Sequence, residues 1–353
     1  MRVTSTSQVN PQEWDALAVT LGGGYFHTHA EALCNAASGG GEPLFVKGLN
    51  QAGQCVGLLT GNLAMSRVWP FSRYCGYAML QGLPATADGS EASQRAFMEA
   101  LEAHLRDRGA FSIRVYSYDS PQSEQVLGGL GYRLTPRVEF LMDLTASVEE
   151  LWSRLRGQRR TDIRKAEKLG VVTRVENTLE AYEQVYEFQA VSLQRHGFAM
   201  REASETVRRA RLTRLQSGHI DVLVSYHEGK SVNASIFGTF NRRPYYLISG
   251  ASELGYKVCG PAHLLWTAIR LYRDQGARCL NLGAALQGQD GVYKFKQGFG
   301  AQPVSAPIGV KHISRIGSCL HRLRSVVSRL AESKRSENKT EGPAVEGDNA
   351  SEG

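Results

Sequence analysis

The chain repeats one of its own segments, and that repeat limits its fold more than any other feature. Arg106-Asp107-Arg108-Gly109-Ala110-Phe111-Ser112-Ile113-Arg114-Val115 and Arg273-Asp274-Gln275-Gly276-Ala277-Arg278-Cys279-Leu280-Asn281-Leu282 lie 273 − 106 = 167 residues apart. Four of the ten positions are identical, and the third-last and last are apolar in both. Gly129-Leu130-Gly131 and Gly298-Phe299-Gly300 recur at nearly the same offset, 298 − 129 = 169. Recurrence at one period is the mark of a duplicated unit. In each copy a helical stretch (Ala96–Arg106, Leu264–Arg273) runs into a glycine able to take the left-handed geometry of a helix stop, and an alternating strand follows. Each copy also has a hairpin pattern upstream. Pro43–Lys47 faces Cys55–Leu63 across Gln51-Ala52-Gly53, and His219–Tyr226 faces Ser231–Phe240 across Glu228-Gly229-Lys230. The second copy continues into Tyr245–Ser249 after the turn Asn241-Arg242-Arg243-Pro244. Interleaved helices and strands predict an α/β or α+β fold with a mixed sheet, built twice. At 353 residues the chain exceeds the ~250–300 at which a single core stops growing, so two domains are expected, divided near Phe140–Ser147.

Composition narrows the class. Hydrophobic residues make up 42% and charged residues 21%, which excludes a mainly disordered or fibrous chain. No apolar run reaches the ~18 residues of a membrane span, and the opening Met1–Trp14 has no apolar signal core, so a cytoplasmic protein is expected. Cys34, Cys55, Cys75, Cys259, Cys279 and Cys319 form no Cys-x-x-Cys pair and read as buried thiols, with no zinc site or disulfide framework. The net charge is 41 − 34 = +7 and is concentrated. Arg154–Lys168 holds seven basic residues against Asp162 and Glu167. Lys311, Arg315, Arg322, Arg324, Arg329, Lys334 and Arg335 stand against Glu332 alone. Such clusters favour polyanionic partners such as RNA, nucleotide phosphates or coenzyme A, although a run of charge is usually a solvated helix face. Leu320, Leu323, Val326, Val327 and Leu330 recur at helical spacing among basic residues, which predicts an amphipathic helix. The polar residues beyond Ser333 are expected to be disordered.

The segment Leu254–Leu265 joins a strand to a helix, with Pro261 suited to the first helical turn. Free N–H groups there suit an anion, and Lys257 reinforces them. The plainer reading is a Gly260-Pro261 helix start. Two further strings carry a family resemblance. Gly291-Val292-Tyr293-Lys294-Phe295-Lys296-Gln297-Gly298-Phe299-Gly300, after Asn281-Leu282-Gly283, resembles the C-terminal signature of Fem-type transferases and their bacterial relatives in the GNAT acyltransferase superfamily. Arg159-Arg160-Thr161-Asp162-Ile163-Arg164-Lys165-Ala166-Glu167-Lys168-Leu169-Gly170-Val171 looks like the basic helix that opens the second domain in that group. Gly129-Leu130-Gly131-Tyr132-Arg133 is similar to the Leu-Gly-Phe ending of single GNAT domains and extends the resemblance to the first half.

The resemblance implies two tandem GNAT-like domains of α/β (α+β) class, each a mixed twisted sheet flanked by helices. On the sequence these are residues 1–146 and 147–313, followed by a basic amphipathic helix over 314–332 and a tail over 333–353. It implies acyl or aminoacyl transfer to an amine or hydroxyl, with aminoacyl-tRNA or acyl-CoA as co-substrate and no separate cofactor or metal. Two departures bear on the donor. The long coiled-coil hairpin of some tRNA-using Fem proteins has no counterpart here, and Gly255–Ala262 matches the Gln/Arg-x-x-Gly-x-Gly/Ala pyrophosphate loop only loosely. Basic density favours tRNA, since phosphate contacts supply most sequence-independent RNA affinity.

Ester or thioester aminolysis needs a neutral nucleophile, a route for a proton and stabilisation of the oxyanion. The family's Phe-Lys-x-x-Phe position assigns that stabilisation to Lys296; a solvated lysine is the alternative. Tyr256 is the second catalytic candidate. Tyr245, Tyr246, Asn281, Arg159, Arg160 and Arg164 are expected to bind substrate, and Lys257, Gly260, Ala262 and Lys294 the donor phosphate. Buried aromatic packing competes for the tyrosines. His27-Thr28-His29 lacks the further ligands of a metal site, and Cys259 and His263 read as packing residues. A protein that keeps the fold as a non-catalytic RNA-binding or scaffold module is the rival reading. The sequence names neither the acceptor nor the transferred group.

Overall fold

The computed structural model describes residues 1–66, 74–118, 120, 122–194, 203–285 and 290–320. Residues 315–320 are helical, while the rest of the amphipathic-helix expectation, the other basic residues of that cluster and the whole tail lie outside the described residues. The first half runs β1 (Arg2–Thr6), α1 (Pro11–Thr20), a 3-10 turn (Tyr25–His27), α2 (His29–Gly39), β2 (Glu42–Leu49), β3 (Cys55–Ala64), β4 (Gly76–Gln81), β5 (Ala85–Thr86), α3 (Glu91–Asp107), β6 (Ala110–Tyr116), α4 (Ser123–Gly129), β7 (Arg133–Thr135) and β8 (Val138–Asp143). The second runs α5 (Val148–Arg154), α6 (Gly157–Lys168), β9 (Val172–Val175), α7 (Leu179–Gln194), α8 (Glu205–Gln216), β10 (Ile220–His227), β11 (Lys230–Gly238), β12 (Tyr245–Ala251), α9 (Glu253–Lys257), α10 (Gly260–Asp274), β13 (Cys279–Ala285), α11 (Asp290–Gln297), β14 (Gln302–Ser305) and β15 (Ile308–His312).

The repeated segments are equivalent helix-to-strand junctions. Gly109 and Gly276 follow α3 and α10 at φ +87° and +79°; Gly131 and Gly300 follow α4 and α11 at +76° and +83°. A residue with a Cβ is strained in that region, which is why glycine stands at both members of each pair. α3 buries Phe97, Met98, Leu101 and Leu105 on its own sheet, and α10 buries Leu264, Leu265, Ala268, Ile269 and Tyr272 on the other. The helical period of these apolar residues leaves one stripe for the sheet and a polar face for water.

The two sheets have one topology. One is ordered β1-β2-β3-β4-β6-β15-β7, with β5 paired to β3; the other is β9-β10-β11-β12-β13-β8-β14. Among the described residues each is antiparallel except for a single parallel pair, β4 with β6 and β12 with β13. The match requires an exchange. β8, the last strand of the first half, lies between β13 and β14, while β15, the last of the second half, lies between β6 and β7. The expected division at Phe140–Ser147 therefore falls at the end of a strand already inside the other sheet. The halves also share a core. Trp14, Tyr25, Phe26, Phe45 and Leu58 of the first pack with Tyr182, Val185, Val222, Ile236 and Tyr245 of the second.

The cysteines differ from expectation. Cys34 and Cys75 are buried, but Cys55, Cys259 and Cys279 are half-buried and Cys319 is exposed. His27 is a structural residue: its Nδ1 accepts from the Gly24 N–H at 3.2 Å and its Nε2 donates to the Leu83 carbonyl at 2.9 Å.

Candidate active site

The two parallel pairs are not alike. Among the described residues β4 and β6 are in register at six positions, from Gly76↔Ala110 to Gln81↔Tyr116, whereas β12 and β13 meet only at Tyr245↔Asn281. Past that pair the described residues of β12 and β13 form no further ladder pair, which leaves a wedge between the strands. β12 bulges between Tyr246 and Ile248, so Leu247 is the extra residue that a bulge leaves out of the ladder. β13 is irregular between Asn281 and Ala284, where Gly283 takes φ +71° and its N–H donates to Asn281 Oδ1 at 2.8 Å. A Cβ at Gly283 would stand 2.9 Å from the Tyr246 carbonyl oxygen and 3.6 Å from Lys296 Nζ. Glycine here keeps clear of the Tyr246 carbonyl, while the lysine stands at ordinary contact distance.

At the apex of the wedge, Glu139 of β8 is fully buried. Its Oε1 accepts from the Tyr245 hydroxyl and pairs with Arg137 at 2.8 Å; its Oε2 accepts from Asn281 Nδ2 at 2.7 Å. One carboxylate thus fastens both residues of the Tyr245↔Asn281 pair. Burial, with Glu139 beside it, holds the Tyr245 phenol well above its ordinary value, so it remains a donor.

Lys296 lies on α11, whose aromatic residues anchor it: Tyr293 meets Phe140 edge-on at 4.9 Å and Phe295 contacts Phe299 at 5.2 Å. The side chain is buried rather than solvated, donating to the Ala284 carbonyl at 2.7 Å and standing 6.0 Å from the centre of the Phe140 ring. One of its three N–H bonds is thereby engaged, leaving two for a substrate. Burial pushes its pKa down to about 7, with Glu139 opposing the fall and Arg137 adding to it.

Tyr245, Asn281 and Lys296 are therefore brought together, and the other predicted residues form the surroundings. α6 packs against α10 and reaches α11: Arg159 stands over the Phe295 ring at 5.1 Å, and Cys259 Sγ lies 3.9 Å from Asp162 Oδ1. Arg159 also pairs with Asp162 at 3.1 Å. Arg160 is engaged elsewhere, donating to the Ser153 and Leu155 carbonyls at the end of α5. Arg164 is exposed over the Trp152 ring at 5.4 Å. Tyr246 is half-buried; Tyr256 is exposed, with its hydroxyl 3.4 Å from Ser192 Oγ. Lys257 and Lys294 are exposed.

The segment expected to cradle phosphate has a different form. α9 interposes between β12 and α10, and the Gly255, Tyr256, Val258, Cys259, Ala262 and His263 N–H groups all donate within Ser252–Cys259. Pro261 has no N–H, and the Asn233 side chain presses against Gly260 so closely that a Cβ there would lie 2.1 Å from its Oδ1. Ala262 thus has no free amide for an anion.

Sequence reasoning missed the residues that the first half contributes. Arg137 Cζ lies 4.8 Å from the centre of the Tyr118 ring, and its Nη1 is buried without a hydrogen-bond partner. Tyr118 stacks on Phe26 at 4.0 Å and on Tyr116 at 5.7 Å. Arg114 stands over Tyr77 at 5.6 Å on the same sheet face, and the Tyr77 hydroxyl and Arg114 Nε also lack partners. This track of rings and guanidinium groups runs along the first sheet toward Glu139. Only the i, i+2 spacing of Arg114, Tyr116 and Tyr118 announced it.

Residues 153–297 match the family model of the acetyltransferase (GNAT) domain. No curated protein matches the chain. Among solved structures, FemX is similar at a TM-score of 0.70 and 13% identity, over 92% of this chain and 99% of FemX. L-PGS from Bacillus licheniformis gives 0.55 and 15%, over 87% and 93%. A tandem GNAT protein from the clavulanic acid biosynthesis pathway gives 0.51 and 11%, over 89% and 99%. These likenesses establish a shared fold across both halves, and the family match covers the half whose sheet is open. Residues 153–297 thus match the GNAT acetyltransferase domain, and both halves together have the fold of FemX and of the tandem GNAT protein.

Proposed function

We propose that the chain transfers an aminoacyl group from aminoacyl-tRNA to an amine or hydroxyl of a small-molecule or cell-wall precursor acceptor. The observation that carries the choice of donor is the engagement of the N–H groups from Gly255 to His263, which leaves few for the pyrophosphate of coenzyme A. Arg164 on the adjoining α6 remains suited to a nucleic-acid backbone, while Arg159 is paired with Asp162 and Arg160 is committed to α5. The wedge between β12 and β13 receives the reacting end of the donor. An acceptor carrying an anionic group fits the Arg114–Tyr77 end of the aromatic track.

In the reaction the acceptor nitrogen or oxygen attacks the ester carbonyl carbon. A new bond to that carbon forms, the bond to the ribose oxygen breaks, and the acceptor's proton leaves with that oxygen. Charge develops on the carbonyl oxygen. Lys296, with two N–H bonds free, and the unpartnered Nη1 of Arg137 supply the positive charge it needs, both from buried positions. Tyr245 and Asn281 hold the wedge, and Tyr256 is exposed on α9 beside Ser192.

A second reading, transfer from acyl-CoA, is favoured by the wedge itself, whose unpaired strand edges suit an extended amide-bearing arm. The two are separated by incubating the protein with charged tRNA or acyl-CoA and a panel of amines and hydroxyl compounds, with product read by mass spectrometry. Product that disappears on nuclease pretreatment and survives coenzyme A depletion is expected; the reverse pattern replaces the donor. No product with either, from folded protein, favours the non-catalytic RNA-binding alternative.

A further inference from the structure

Glu139 belongs to the first half by sequence and to the second sheet by pairing. It lies directly across the ladder from Ala284, whose carbonyl accepts the Lys296 hydrogen bond. Directly opposed residues on antiparallel strands lie about 4.5–5.5 Å apart at Cα, so the carboxylate and the amine occupy neighbouring positions of one strand pair. The same carboxylate takes hydrogen bonds from Tyr245 on one oxygen and Asn281 on the other. Only an acceptor at both positions satisfies two such donors: a glutamine would set its own NH2 against one of them.

We propose that Glu139 is the positioning residue for Lys296, keeping the amine charged in a buried site while it holds β12 and β13 together at the apex. The exchanged strand thereby gives the first half control over chemistry in the second. The inference rests on the reading of Lys296 as the group that stabilises the oxyanion. Burial is the strongest influence on Lys296 and favours its neutral form; Glu139 opposes this and Arg137, just before β8, reinforces it. The other titratable or charged groups around the site are Tyr245 of β12, held neutral, Tyr118 of the first half, pushed up to about 12, and Arg159 of α6 against Phe295. None of these three supplies the negative charge that Glu139 does.

The test is a pH titration of protein labelled with 13C at lysine Cε, with the Lys296 signal assigned by its loss in Lys296→Met. Glu139→Gln is expected to move the Lys296 midpoint to lower pH by about one unit, a tenfold change in its protonation constant. Arg137→Gln is expected to move it to higher pH. Opposite shifts from two variants only two positions apart are not produced by loosened packing. An unmoved midpoint in folded Glu139→Gln overturns the assignment. If that variant does not fold, an unmoved or lowered midpoint in Arg137→Gln does so. With the donor identified above, Glu139→Gln is also expected to move the alkaline limb of the kcat profile to lower pH, an effect absent if the residue only packs. The titration uses no donor, so failure to find transfer leaves it readable, whereas an unmoved midpoint removes Glu139 alone.

Discussion

Lys296 pulls rate and stability in opposite directions as pH rises. Its folded pKa of about 7 lies below the ordinary lysine value of 10.5, so between these limits the unfolded chain binds more protons than the native one and stability increases with pH. Transfer that depends on the ammonium declines over the same window. Lys296→Met is expected to lower kcat ~100- to 1000-fold, the usual loss when one oxyanion donor is removed. Denaturant melts from pH 7 to 9 should show the variant losing that pH-dependent gain; a wild-type slope that persists in the variant contradicts the buried, titrating amine. Gly283→Ala combines a left-handed backbone with a Cβ 2.9 Å from the Tyr246 carbonyl oxygen. It is expected to cost about 1–2 kcal/mol in urea melts. Lys296 and Asn281 were legible because a local motif carries them. Glu139 was not: one acid between Val138 and Phe140 reads as ordinary strand alternation, and its role appears only when β13 is laid beside it.

The elements show where periodicity informs and where it stops. α3, α10 and the two hairpins were legible from apolar spacing and glycine stops, within a few residues of their observed ends. α9 was not, since five residues carry too little pattern to separate a short helix from a loop. The basic α6 was legible as a helix but not in the division of its charges. Arg160 donates to two carbonyls at the end of α5, where a cation also complements the helix dipole. Arg164 stays exposed. Arg164→Ala should therefore make the logarithmic salt slope of tRNA binding shallower by roughly 0.7–0.9, with little change in Tm. Arg160→Ala should lower Tm and leave the slope alone. Equal slopes in wild type and Arg164→Ala would place the nucleic acid elsewhere.

At the scale of the molecule, the duplication was legible in the sequence and the exchange was not. A strand has the same alternating pattern whichever sheet receives it, so Val138–Asp143 and Ile308–His312 read as the ends of their own halves. The interlock extends to a buried ion pair. Arg214 of α8 lies 3.2 Å from Glu31 of α2 and also donates to Tyr182 and Tyr186, while Tyr25 donates to the same Glu31 oxygen. Glu31→Leu leaves that guanidinium uncompensated and is expected to cost about 3–5 kcal/mol, read by urea unfolding. Division of the chain tests the exchange more directly. A fragment of residues 1–146 retains β8 without the strands on either side of it and lacks β15 between β6 and β7; a fragment of residues 147–353 has the converse defect. Each sheet then has an internal gap whose N–H and C=O groups have lost their partners, and each fragment exposes its side of the shared core. Neither fragment expressed alone should give a cooperative thermal transition, whereas the two co-expressed should assemble as one complex on gel filtration. A fragment of residues 1–146 that melts cooperatively on its own would show that the first sheet closes without β15.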